Sequence, residues 1–80
     1  MPGFNRLSVL ELFIEKEDHN LSWVELTEFY NVINGTERET LLFNIIRELE
    51  DERIIQQLSP LLAWELIDVH EAIKERDRLI

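Results

Sequence analysis

The stretch that decides the fold is Thr36-Glu37-Arg38-Glu39-Thr40-Leu41-Leu42-Phe43-Asn44-Ile45-Ile46-Arg47-Glu48-Leu49-Glu50-Asp51-Glu52-Arg53. Thr36 carries a hydroxyl oxygen that can accept the amide of the third residue beyond it. Glu39, at that position, can reach back and satisfy a second orphan donor at the helix start. Leu42, Ile45, Ile46 and Leu49 then recur at three- and four-residue spacing, which lines them along one face of a 3.6-residue helix. Leu41 extends that face. The pattern predicts a helix from Thr36 to about Arg53, with an inward apolar stripe and a carboxylate-rich exterior.

The segments before it repeat the same logic. Ser22-Trp23-Val24-Glu25 is a second cap with glutamate at the third position beyond, followed by Leu26, Phe29 and Tyr30, with Leu21 placed as a hydrophobic staple. This helix ends near Asn31, because Asn31-Val32-Ile33-Asn34-Gly35 interrupts the pattern and Gly35 readily takes positive φ. Further upstream, Leu7, Leu10 and Ile14, widened by Val9 and Phe13, predict a first helix from about Arg6 to Glu17. Asn5 or Ser8 caps it, and Glu11 stands three residues after Ser8.

Beyond Arg53 the reading changes. Ile54-Ile55-Gln56-Gln57-Leu58 begins β-branched and alternates poorly, which predicts a short extended segment of one strand at most. Ser59 as cap and Pro60 at the first helical position predict a fourth helix running towards Ile80. Leu62, Leu66, Val69 and Ile73 lie along one side of it, and Leu61, Trp64 and Ile67 add apolar surface beside them. Lys74, Arg76 and Arg78 suit the negative end of its macrodipole. The expected architecture is one helical domain over residues 1–80, all-α or mainly α with one short extended segment. It divides into a helix-turn-helix-like core over 5–58 and a C-terminal helix over 59–80.

Composition narrows the chemistry. Eighty residues, 45% of them hydrophobic, suffice for one small core. There is no cysteine, so neither disulfides nor thiolate metal sites supplement that core. Aspartate and glutamate number 17 against 8 lysines and arginines, a formal net charge of −9. That balance supplies little material for a phosphate-binding patch and suits basic partners instead. No stretch is apolar enough to span a membrane, and the N-terminus has no basic region followed by an apolar run. A cytoplasmic location is expected.

With those elements placed, Leu21 to Leu26, Arg38 to Leu42 and Ile46 to Ile55 together resemble a winged helix-turn-helix domain over roughly residues 5 to 58. The resemblance implies that Leu42, Ile46 and Leu49 are buried by the third helix, and that Ile54 or Ile55 turns the chain into a first wing strand. Two features depart from that family. The glycine common before the wing strand is replaced by Glu52-Arg53, and Leu58 leads directly into Ser59-Pro60, so the wing is expected to be missing or reduced. The third helix of such domains enters the DNA major groove through its outward face. Here that face offers Thr40, Phe43, Asn44 and Arg47. Asn44 and Arg47 are types that read adenine and guanine edges, yet Glu37, Glu39, Glu48, Glu50, Asp51 and Glu52 flank them, and carboxylates beside phosphates cost Coulomb energy.

Catalytic and metal signals are absent from the pattern. His19 lies in a turn, and His70-Glu71 lacks a second histidine four residues on. Asp68, Glu71 and Glu75 read as a solvated helix face, and no glycine loop could cradle a phosphate. No enzyme activity, cofactor or metal is expected.

The leading expectation is a protein-binding regulator, adaptor or inhibitor whose contact residues are Thr40, Phe43, Asn44, Arg47, Glu48, Asp51, Trp64 and Ile67. Its acidic face would occupy a partner's nucleic-acid-binding surface. In size and charge the chain resembles small phage-encoded inhibitors. Phe43 either meets a partner or tucks against the first helix or the tail. A C-terminal helix apolar on two sides suggests a homodimer through that helix. The alternative is a dimeric DNA-binding transcription regulator.

Overall fold

Three of the four expected helices begin where their caps stand. The computed structural model describes residues 3–60 and 62–80, and its first helix, α1, spans Arg6–Glu15. Asn5 is its N-cap: its side chain accepts from the Ser8 amide, while the Ser8 hydroxyl accepts from the Asn5 amide, both at 2.9 Å. Serine thus completes the box from the position expected to hold a cap of its own. The next helix, α2 (Trp23–Phe29), opens on Ser22 and Glu25, which exchange the reciprocal pair at 3.1 and 3.2 Å. A third, α3 (Glu37–Asp51), is capped by Thr36, and Glu39 reaches one residue further back, accepting the Gly35 amide at 3.0 Å. Gly35 has φ +83°, as its role in the turn requires.

The all-α expectation is overturned by a three-stranded antiparallel sheet. Strand β1 (Asn20–Ser22) precedes α2, and β2 (Ile55–Ser59) and β3 (Ala63–Leu66) form a hairpin after α3. The spatial order is β1-β3-β2, so the last strand is central, with Trp64 opposite Leu21 on one side and Gln57 on the other. The extended segment expected over 54–58 is therefore a paired strand, and a hairpin stands where one was expected to be missing or reduced. Ser59-Pro60 does not start a helix. The Ser59 carbonyl accepts the Leu62 amide at 3.0 Å, reversing the chain across four residues with Pro60 at the second position, which its fixed φ suits. Leu58 is the extra residue of a register shift between Gln57 and Ser59, and it points into solvent.

The fourth helix, α4 (Val69–Leu79), starts about ten residues later than the sequence suggested. Asp68 caps it, accepting the His70 and Glu71 amides at 2.9 and 3.3 Å. Its inward residues are Ala72, fully buried, with Val69 and Leu79 half-buried against the core. Its outward side is His70, Glu71, Lys74, Asp77 and Arg78, all exposed. A helix apolar on two sides was the reason to expect a second copy against it, and α4 is apolar on one.

One core holds the elements together. Val9, Leu10 and Phe13 of α1, Leu26 and Tyr30 near α2, and Leu42, Ile45, Ile46 and Leu49 of α3 close on Ile54, Ile55, Trp64 and Leu66. The inward stripe of α3 is as expected, with one exception: Leu41 is 50% exposed and does not extend it. Arg6 ties α1 to the end of α3 and to α4 through ion pairs with Glu48, Glu52 and Glu75, and Arg78 shares Glu75. Hydrogen bonding from Arg78, opposed by partial desolvation and aided by Arg6, holds the Glu75 carboxyl below its ordinary 4.5.

Two outcomes follow from this packing. Ile46→Ala should cost about 2–5 kcal/mol in urea unfolding, because a fully buried aliphatic leaves a cavity; Leu41→Ala should stay within about 0.5 kcal/mol. The Glu75 contacts stabilise the fold above the carboxyl's unfolded pKa and are lost as pH falls through the lower folded value. The urea midpoint should therefore hold between about pH 7 and 5 and drop below about pH 4.5. Glu75→Gln should start lower at neutral pH and converge with the wild type in acid.

Candidate functional site

The outward face of α3 is a stripe at helical spacing, Thr40, Phe43, Asn44, Arg47 and Asp51, standing between the start of α2 and the β2-β3 hairpin. Thr40, Asn44, Arg47, Glu48 and Asp51 are exposed and Phe43 is half-buried. Phe43 has a neighbour that neither expectation named. Its ring meets Trp23 of α2 in an edge contact, with centroids 5.8 Å apart and planes at 88°. Trp23 in turn lies 6.2 Å from Trp64. It is held in place because its amide donates to the Leu62 carbonyl at 2.7 Å, which stitches the hairpin turn to the first residue of α2.

Phe43 divides two concavities. One, of about 310 Å³, is lined by Trp23, Glu39, Thr40 and Phe43. The other, of about 290 Å³, is lined by Phe43, Arg47, Glu50, Asp51 and Gln57. A third hollow, of about 100 Å³ by Asn31, Ile33, Thr36 and Arg38, is smaller and lies at the α2–α3 turn. The first two meet at Phe43 and lie in line along α3, together the α3 groove.

Four of the lining residues, Trp23, Glu39, Glu50 and Gln57, were not among the sequence candidates. Glu39 is legible as a capping residue and as one of the carboxylates flanking the outward face, and nothing in the chain announces that Gln57 returns to α3. Glu50 was counted as surface charge but has a structural role. Its carboxylate accepts the Trp64 indole N–H at 2.7 Å and the Gln57 side-chain amide at 3.1 Å. Trp64 itself is fully buried, so it leaves the partner-facing set and joins the core. Ile67 is 47% exposed, and its amide donates to the Ile54 carbonyl beyond the end of β3, outside the groove lining. Leu61, expected on the fourth helix, lies outside the described residues. Glu48 points towards α1, 3.7 Å from Arg6.

The charge arrangement follows from which cations are already committed. Arg6, Lys16, Lys74, Arg76 and Arg78 are ion-paired. Arg38 donates to the Tyr30 and Asn31 carbonyls and covers the Phe4 ring at 5.2 Å. Arg47 and Arg53 have no such partner among the described residues. Arg47 therefore shares its hollow with Glu50 and Asp51, while Glu39 lines the other, and none of these three carboxylates is ion-paired among the described residues. The helix contributes five carboxylates against two arginines.

Elsewhere, the His19 Nδ1 is 3.2 Å from the Phe13 carbonyl, and His70 sits in the open first turn of α4. Among the described residues no group of three or more histidine, aspartate or glutamate side chains is arranged to hold a metal ion. None of the described helices is long and apolar enough to cross a membrane.

Glu50 gives the groove a direct test. Glu50→Ala leaves a buried indole N–H without an acceptor and should cost about 1–3 kcal/mol in urea unfolding. Asp51→Ala, one residue on and exposed, should stay within about 0.5 kcal/mol. No protein-family model, curated protein or solved structure matches this chain.

Proposed function

We propose that this chain is a non-enzymatic, acidic protein-binding module on a winged helix-turn-helix-like scaffold, acting as a regulator, adaptor or inhibitor through the outward face of α3. The observation that carries the reading is Phe43, a half-exposed aromatic between two hollows whose charges are mostly carboxylates without a cationic partner among the described residues. A large ring in a cleft with a polar rim is the usual anatomy of a protein contact. The element order α1-β1-α2-α3-β2-β3 supports the scaffold assignment, since it places a capped helix pair ahead of a hairpin.

The partner is expected to be basic. A net charge of −9 repels nucleic acid at long range and attracts surfaces that normally hold it, so occupying a partner's nucleic-acid site is the mode this surface supports best. A phage-type inhibitor is one form of such a protein.

One observation favours a second reading. Asn44 is exposed, Arg47 has no partner among the described residues, and both stand on the helix face that reads bases in DNA-binding relatives of this architecture. The chain would then be a transcription regulator, dimeric to gather charge. Its cost is electrostatic, because affinity for a polyanion comes mainly from phosphate neutralisation by lysine and arginine, and most of those here are already ion-paired.

One experiment separates the two. Tagged protein should capture a specific partner from a lysate of the cells that express it. Capture should be lost with Phe43→Asp and weaken steeply between about 0.1 and 0.5 M salt, as screening of an electrostatic contact requires. In a mobility-shift assay at low salt, micromolar protein should leave duplex DNA unshifted. A shift that disappears in Arg47→Ala would transfer the assignment to the second reading, and salt-indifferent capture would remove the mimicry mode.

A further inference from the structure

The upper hollow has a chemistry narrower than a generic contact surface. Trp23 and Phe43 stand at 88° to one another, forming two walls of a corner, and Glu39 and Thr40 close the side towards the start of α3. One Glu39 oxygen is engaged by the Gly35 amide at 3.0 Å, and the residue has no cationic partner among the described residues. Aromatic faces carry negative quadrupole potential, and a cation within about 6 Å of a ring centroid is attracted by about 0.5–2 kcal/mol. The N-terminal end of α3 opposes this with roughly half a positive charge, which the full negative charge of Glu39 outweighs.

The lower hollow has the same sign for a different reason. Glu50 and Asp51 sit in the last turn of α3, where the macrodipole adds to their charge, and Arg47 compensates one of the two. From Glu39 to Asp51 the helix rises about 18 Å, at about 1.5 Å per residue. An extended segment covers that span in five to six residues, at about 3.3 Å each.

We infer that the groove receives an extended basic segment of a protein partner, with one cationic side chain seated in the corner of Trp23, Phe43 and Glu39 and a second, about five residues away, over Glu50 and Asp51. This rests on the protein-binding reading above and adds the ligand class: a lysine, methylated lysine or arginine flanking an apolar residue that covers Phe43. The molecule already makes such a contact internally, with Arg38 over the Phe4 ring. An anionic or wholly apolar segment would meet unpaired carboxylates at both ends of the groove.

The test uses the full chain and a capped hexapeptide with lysine at each end and leucine at its third position, followed by amide and indole NMR shifts. The expected result is saturable movement of the Trp23 indole signal and of the Thr40, Phe43 and Asp51 amides. The buried Trp64 indole signal should stay in place and report an intact fold. Phe43→Ala and Glu39→Gln should each weaken binding about fivefold or more, the equivalent of about 1 kcal/mol. Glu15→Gln, a distant exposed carboxylate on α1, should change nothing.

A peptide with glutamates replacing the lysines should not bind, and arms with trimethyl-lysine or arginine identify the preferred cation. Shifts spread evenly over distant carboxylates, or equal affinity in Phe43→Ala and Glu39→Gln, would overturn the inference. If captured partner is lost in Phe43→Asp while the lysine peptide fails to seat, the cation corner falls and the protein-binding reading stands. If the peptide seats but no partner is captured, the corner stands and the reading of its use falls.

Discussion

The burial of Trp64 is the constraint from which the rest of this structure follows. Its indole occupies the central strand of the sheet, opposite Leu21 and Gln57, and is fully removed from solvent. A buried indole N–H needs an acceptor, and Glu50 of α3 supplies it at 2.7 Å. That hydrogen bond, with the one from Gln57 to the same carboxylate, sets the hairpin against the C-terminal half of α3. The contact of Trp64 with Trp23 sets the start of α2 against the same strand. The groove along α3 is the space left between elements positioned this way, so the site inherits its shape from the core.

Charge is distributed with the same economy. A chain with more than twice as many acidic as basic residues spends most of its cations on itself. Arg6 gathers three glutamates from α3 and α4, Lys16 draws Asp18 and Glu25 together, and Arg38 closes the α2–α3 turn by donating to two carbonyls. Exposed pairs of this kind contribute little individually; the Arg6 cluster, with Glu75 only 16% exposed, is the more consequential one. The result is an outward α3 surface on which a lone arginine is set among unneutralised carboxylates, and the functional reading turns on that contrast.

The legibility of the chain was uneven for physical reasons. Caps and periodicity are local, so Ser22 and Thr36 are legible by inspection, Asn5 as one of two candidates with Ser8, and so is the inward stripe Leu42, Ile46 and Leu49. The stretch from Ser59 to Leu66 was misread because its signals are ambiguous. Serine followed by proline opens a helix as readily as it makes a turn, and Leu62, Leu66, Val69 and Ile73 happen to keep helical spacing across a strand and a helix. Arg53 hid the start of the hairpin in another way: it takes φ +60° without being glycine, a conformation that costs an L-residue about 1–2 kcal/mol and that composition does not advertise. The error carried into the site. Helical spacing puts Trp64 on the outer side of a helix, whereas no local signal marks Trp23 or Gln57 as lining the groove.

By itself the sequence determined the three N-terminal helices, the inward face of α3, the absence of thiol chemistry and the acidic balance, because each depends on residue type or on neighbours within a few positions. Only the tertiary structure decided that residues 55–66 form a hairpin, that β3 slots between β1 and β2, and that Phe43 meets Trp23 across a cleft. Those outcomes depend on pairing beyond a helical turn, from Gln57 with Trp64 in the hairpin to Leu21 with Trp64 some forty positions apart. A strand gains its hydrogen bonds from a distant partner, whereas a helix finds them within its own next turn.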